Sequence, residues 1–94
     1  MPIYHNTGVD VATASTLILA AQDARAYVAI VNDSDTDIYL ALGEAATLHN
    51  GIRLNANGGS FEMPSRDMYV GAIYGIHGGT GTKRVTIEDL RYYV

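Results

Sequence analysis

The chain has 94 residues, no cysteine, and ten acidic against six basic residues for a formal net charge of −4. That length makes one domain in which burial only modestly exceeds the entropy cost of ordering, and the missing cysteines exclude a disulfide-stapled framework. The basic residues are dispersed, Lys83-Arg84 being the only adjacent pair, so the stripe that phosphate backbones reward is absent and no nucleic-acid partner is expected.

The chain opens Met1-Pro2-Ile3-Tyr4-His5-Asn6, with no basic region leading into an apolar stretch, so no signal peptide is expected and synthesis in a cytoplasm follows. Residues 1–8 read as a polar arm anchored by Ile3 and Tyr4. Val9-Asp10-Val11 suits a short first strand and Ser15-Thr16-Leu17-Ile18-Leu19-Ala20 a second, although the alanines and leucines of 12–26 would also tolerate a helix. Residues 11–21 form the longest uncharged apolar run, too short to cross a bilayer, so no membrane partner is expected.

Alternation is clearest from residue 27 onward. Tyr27-Val28-Ala29-Ile30-Val31 and Asp37-Ile38-Tyr39-Leu40-Ala41-Leu42 flank Asn32-Asp33-Ser34-Asp35-Thr36, whose side chains bond their own backbone in turns. The pair reads as a hairpin. Residues 43–50 are irregular, and Asn50-Gly51 is a turn dipeptide because both residues accept positive φ. Ile52-Arg53-Leu54 and Ser60-Phe61-Glu62-Met63 follow as short strands around another turn, Asn55-Ala56-Asn57-Gly58-Gly59, and Pro64 ends the latter strand by removing a ladder donor. Tyr69-Val70-Gly71-Ala72-Ile73-Tyr74 and Lys83-Arg84-Val85-Thr86-Ile87 are the last two alternating strands, separated by a glycine-rich loop at 75–81. Leu90-Arg91-Tyr92-Tyr93-Val94 reads as a second terminal arm. The sum is an all-β single domain over 1–94, an antiparallel β-sandwich of jelly-roll type with about seven or eight short strands.

Several patterns invite chemical readings. Asp33-x-Asp35-x-Asp37 with Glu44 has the ligand spacing of a calcium-binding loop, but Ile38 stands where the loop needs Gly and the flanks read as strands. A solvated acidic loop is the better account. The segment Gly75-Ile76-His77-Gly78-Gly79-Thr80-Gly81-Thr82-Lys83 resembles a phosphate loop, yet Thr82 separates the last Gly from Lys83 and a strand follows. His5, His49 and His77 lie on separate segments without metal-ligand spacing. Ser15, Ser34, Ser60 and Ser65 lack a nucleophile elbow, and a chain this short has little room for a deep cleft beside a core. The expectation is no enzyme, no cofactor and no metal.

Tyrosine is over-represented, with seven against one Phe and no Trp. Tyr combines a large apolar face with a polar tip, which suits surfaces that are half wet and half buried. Tyr27, Tyr39, Tyr69 and Tyr74 fit ordinary strand margins. Free termini usually fray, so large amphipathic residues there point to burial against a neighbouring subunit. The candidate interface is Ile3, Tyr4, Arg91, Tyr92, Tyr93 and Val94, with the loops at 32–36 and 76–82 as secondary candidates.

The stretch Ala29-Ile30-Val31-Asn32-Asp33-Ser34-Asp35-Thr36-Asp37-Ile38-Tyr39-Leu40-Ala41-Leu42-Gly43 resembles a group of small tailed-bacteriophage virion proteins. Asn50-Gly51-Ile52-Arg53-Leu54, Gly58-Gly59-Ser60-Phe61-Glu62 and Val70-Gly71-Ala72-Ile73-Tyr74-Gly75-Ile76 continue the likeness. It implies a non-enzymatic structural protein of a phage particle, located in the virion. The implied role is that of a decoration (cement) protein bound to the major capsid protein where its subunits meet, as a homo-oligomer with a trimer favoured. A tail or head-fibre component bound to a tail protein is the alternative within that class. A carbohydrate- or receptor-binding module, with tyrosines as stacking platforms, is the alternative outside it.

Overall fold

Alternating burial decides the layering. Along Arg25–Asn32, Val28, Ile30 and Asn32 are buried while Ala29 and Val31 between them are not, and Lys83–Tyr92 repeats the pattern with Val85, Ile87 and Asp89. Each such strand offers one face to a core and one to the outside. The structure is a computed structural model and describes residues 2–92, the side chain of Asp67 aside. The strands are β1 (Pro2–Val11), β2 (Thr16–Leu19), β3 (Arg25–Asn32), β4 (Ile38–Leu42), β5 (Ile52–Leu54), β6 (Ser60–Met63), β7 (Ile73–His77) and β8 (Lys83–Tyr92).

These eight strands form two packed four-stranded antiparallel sheets, β1-β8-β3-β6 and β2-β7-β4-β5. Each strand of the first half pairs with its mirror partner in the second: β1 with β8, β2 with β7, β3 with β6, β4 with β5. The chain is therefore one long antiparallel ribbon, folded in half and rolled, with β3–β8 and β4–β7 contacts joining successive turns. That is a double-sheet jelly roll. Between the sheets lie Val11, Val28, Ile30, Val85, Ile87 and Met63 from the first and Ile18, Leu19, Ile38, Leu40, Leu54 and Ile73 from the second.

Two bulges adjust this frame. The β2–β7 register shifts between Leu17 and Leu19, and the extra residue turns both Ile18 and Leu19 into the core. Gly75 of β7 stands opposite Thr16, and a Cβ there would meet the tip of the Ile18 side chain, which would have to shift to admit it. On β3 the shift falls between Arg25 and Tyr27, which leaves Arg25 buried at one end of the sandwich.

Three boundaries differ from the sequence reading. The supposed hairpin of 27–32 and 37–42 is not one, because β3 and β4 lie in different sheets and the turn between them crosses from one to the other. Asn32 fixes that crossing: its buried amide donates to Thr36 O at 2.8 Å and Leu54 O at 3.0 Å, and its oxygen accepts from Ser34 Oγ at 2.6 Å. The strand expected at 69–74 begins at Ile73 and runs on through His77; before it the carbonyls of Tyr69 and Gly71 are taken by the Arg25 side chain and those of Val70 and Ala72 by isolated bonds from Gln22 N and Gly43 N, not by a ladder. The two terminal arms are strands: Pro2 to Gly8 belong to β1, which pairs without a break against β8 up to Pro2–Tyr92. Tyr93 and Val94 lie outside the described residues.

Candidate functional site

The outer face of the first sheet carries a cross-strand apolar row. Tyr4 of β1 stands directly opposite Leu90 of β8, and Leu90 directly opposite Tyr27 of β3. Directly opposed residues share a face, as do residues two apart on one strand, so Tyr92 joins the row from β8. Pro64 and Ser65, from the turn after β6, close its far side. Together they line a shallow depression of about 420 Å³ with Tyr4 62% and Tyr92 53% exposed. No part of the described chain crosses this row.

Carboxylates border it. The Tyr27 hydroxyl donates to Glu62 Oε2, and the Asn6 amide donates to Glu88. The hydrogen bond to Glu62 raises the Tyr27 pKa above its ordinary value, with burial and the negative charges of Glu62 and Glu88 adding to the rise. The patch thus presents aromatic faces at its centre and acceptors at its margin, a surface able to dock a protein or stack a flat ligand.

The structure divides the sequence-predicted interface. Tyr4 and Tyr92 meet on this outer face. Ile3 and Arg91 stand opposite each other on the inner side, where Arg91 Nε donates to Asp89 Oδ2 at 2.9 Å. Tyr27 and Leu90 belong to the row and were not among the candidates. Their signal was the two-residue spacing Leu90–Tyr92 on an alternating strand, hidden because residues 90–94 read as an arm. The secondary loops lie at the other end of the sandwich. There Asp35 pairs with Lys83 at 2.9 Å, and a Cβ on Gly79 would meet the Thr36 methyl at 3.2 Å.

Under the patch end of the sheet sits a buried ionic group. Arg25, 4% exposed, donates from Nη1 to Tyr69 O and Gly71 O and from Nη2 to Ala20 O, at 2.8–3.0 Å. Burial lowers its pKa, and the charge of Asp89 opposes that fall. A guanidinium remains protonated even so, and here it serves the carbonyls of Tyr69 and Gly71, while Val70 O and Ala72 O accept from the backbone of Gln22 and Gly43. Arg25 therefore ties β3 of the first sheet to the segment leading into β7 of the second.

The outer face of the second sheet has a similar composition but is crossed by the chain. Leu17, Tyr74 and Ala41 form one row there, and Ile76, Tyr39 and Arg53 the next. The loop at 43–51 passes over this side. Its buried Ala46 donates to Ser15 Oγ at 2.8 Å, and His49 meets Tyr39 edge-on with Nδ1 3.0 Å from the hydroxyl. A Cβ on Gly78 would touch Leu48 at 3.4 Å. Between this loop and β4 is a depression of about 540 Å³ whose only ionisable lining residue is Glu44, so it has no partner for acid–base work.

Several of the remaining sequence candidates have structural partners, whereas the buried Nε2 of His5 has none among the described residues. Asp35 takes Lys83, whose hydrogen bond holds the carboxyl below its usual range, while Asp37 Oδ1 accepts from Ala56 N at 2.8 Å. The aspartates thus diverge, and no three acidic, His or Cys residues among those described converge on a cation. His77 is fully buried in β7. Its Nδ1 accepts from Gly79 N, so Nε2 carries the proton and donates to Gly81 O at 2.8 Å, which fixes the turn into β8. Ser15 and Ser34 are both spent on loop backbone or turn contacts. Compared with known proteins, the chain matches no family model, no curated protein and no solved structure.

Proposed function

We propose that this protein is a non-enzymatic structural component of a tailed-phage particle, a decoration protein that seats the outer face of its first sheet on the major capsid protein at subunit junctions. The observation that carries the reading is the uncovered Tyr4–Leu90–Tyr27 row with Tyr92 beside it. Buried aromatic anchors with a polar margin are what protein interfaces spend their affinity on. The resemblance of residues 29–43 and the segments after them to small virion proteins supplies the particle. The mechanism is mechanical: each copy adds buried contact across a joint, and copies repeated by shell symmetry hold firmly even when each binds weakly.

The test is co-sedimentation of the purified protein with undecorated shells of the phage whose genome encodes it. Saturable binding is expected, with a copy number set by shell symmetry. Tyr4→Ala and Tyr92→Ala should each weaken it about tenfold or more, the loss expected for an aromatic anchor. Absence of binding to shells would overturn the reading. Binding to tail assemblies instead would move the protein to the tail, and binding to a glycan array would favour tyrosine stacking on sugars.

A further inference from the structure

The four sheet edges differ in one respect that singles out β1. An edge strand exposes a row of unpaired backbone donors and acceptors, and chains that stay monomeric blunt it by shortness, bulges or charge. Three edges here are blunted. β2 has four residues and a bulge, β5 has three residues with Arg53 at its middle, and β6 has four with Glu62. By contrast β1 has ten residues, an unbroken register against β8, and no Asp, Glu, Lys or Arg from Pro2 to Val9. Within the described residues it bonds to a strand on one side only.

We propose that β1 pairs with β1 of a second copy, antiparallel and two-fold symmetric, joining two first sheets into one continuous eight-stranded sheet. A two-fold contact uses the same strand twice, so it needs a strand complementary to itself. Centred on Asn6, the ladder sets Ile3 opposite Val9, Tyr4 opposite Gly8, His5 opposite Thr7, and Pro2 opposite Asp10. No like charges meet. The one position without a side chain, Gly8, falls opposite the largest, Tyr4. Gly8 is covered by Arg84 (a Cβ there would lie 2.6 Å from Nη2), and Arg84 is held at 3.1 Å by Asp10. The partner's tyrosine ring thus meets a planar guanidinium half exposed at 49%, the geometry of a cation–π contact. The joined sheet also carries both Tyr4–Leu90–Tyr27 rows on one side. This inference stands apart from shell binding, because it concerns the isolated protein.

Sedimentation equilibrium on the full chain should give a dimer, twice the 10.1 kDa chain mass, dissociating on dilution. Amide exchange along β1 should slow as concentration rises. Asn6→Lys leaves a favourable partner in the monomer, Glu88, but puts two ammonium groups opposite each other at the axis, and should return the protein to 10.1 kDa with its thermal unfolding retained. A wild-type monomer up to about 1 mM, a trimer, or a dimer that Asn6→Lys leaves intact would each overturn the proposal. If Asn6→Lys fails to fold, the concentration dependence of β1 exchange in the wild type decides alone. Shell binding by a monomeric variant would leave the decoration role standing.

Discussion

The two outer faces of this sandwich are built alike and end differently. Each has cross-strand rows containing tyrosine: Tyr4–Leu90–Tyr27, with leucine at the centre, on one sheet, and Leu17–Tyr74–Ala41 and Ile76–Tyr39–Arg53, with tyrosine at the centre, on the other. The second is crossed by the protein's own loop, which lays Ala46, Leu48 and His49 against it. The first has nothing laid over it by the described chain. Apolar rows of this kind are stabilised when water is removed from them, by the chain itself or by a neighbour. One face is partly covered in cis, and the described chain lays nothing over the other.

The most disruptive way to break that contrast is to cut what holds both sheets together. Arg25→Met removes a guanidinium serving three carbonyls and leaves buried Asp89 with Arg91 as its remaining nearby positive charge. Removing one member of a buried ionic group costs about 3–5 kcal/mol, a large share of the stability of a domain this size. Urea unfolding should show that loss, and both faces should become accessible together. An unfolding midpoint close to wild type would mean that the carbonyls of Ala20, Tyr69 and Gly71 find other partners.

A milder change should open only the covered face. Ser15→Ala strips the acceptor from the buried Ala46 N–H, at a cost of about 1–3 kcal/mol for an unsatisfied donor. Binding of a hydrophobic dye should rise as the loop at 43–51 lifts. The matching changes on the open face should behave in the opposite way. Tyr4→Ala and Tyr92→Ala remove largely exposed rings, so unfolding should shift by no more than about 0.5 kcal/mol each while shell binding weakens. If the tyrosine variants unfold early and Ser15→Ala does not, the assignment of which face is closed is reversed.

Much of the sandwich was legible because a strand with one buried face must alternate, and β3, β4, β5, β6 and β8 all show it. What the turn chemistry left open was pairing. Asn32-Asp33-Ser34-Asp35-Thr36 says that the chain reverses there, and the same residues serve a hairpin or a crossing between sheets. The crossing depends on the Asn32 amide reaching Leu54 O, a contact 22 residues away in sequence. The start of β7 was misplaced for a similar reason, since the carbonyls of Tyr69 and Gly71 are claimed by Arg25 from more than 40 residues upstream. At the termini, Pro2–Val11 alternates only weakly because its edge position leaves most residues exposed, and its partner is the far end of the chain. The candidate patch was accordingly half visible. Tyr4 and Tyr92 stood out as terminal tyrosines, whereas Tyr27 and Leu90 join them only through the β1–β8–β3 register.

The smallest expected effect concerns the Tyr27 hydroxyl at the margin of the open face. Its pKa is raised in the folded state, first by the hydrogen bond to Glu62. A group raised on folding adds stability that is fully present below its unfolded value, about 10 for tyrosine, and lost as pH climbs through the higher folded value. Followed by ultraviolet absorbance, Tyr27 should titrate on the alkaline side of an unperturbed tyrosine. Tyr27→Phe should remove that step with little change in folding near neutral pH, because the pair is exposed and screened by solvent. Glu62→Gln should keep an acceptor beside the hydroxyl but bring the step back toward the ordinary value, since the negative charge is gone. A late step that survives Tyr27→Phe would assign the perturbed tyrosine elsewhere and remove Glu62 from the edge of the patch. A partner seated on the row desolvates Tyr27 further, so bound protein should show the step moved to still higher pH, whereas a partner docked on the second sheet would leave it in place.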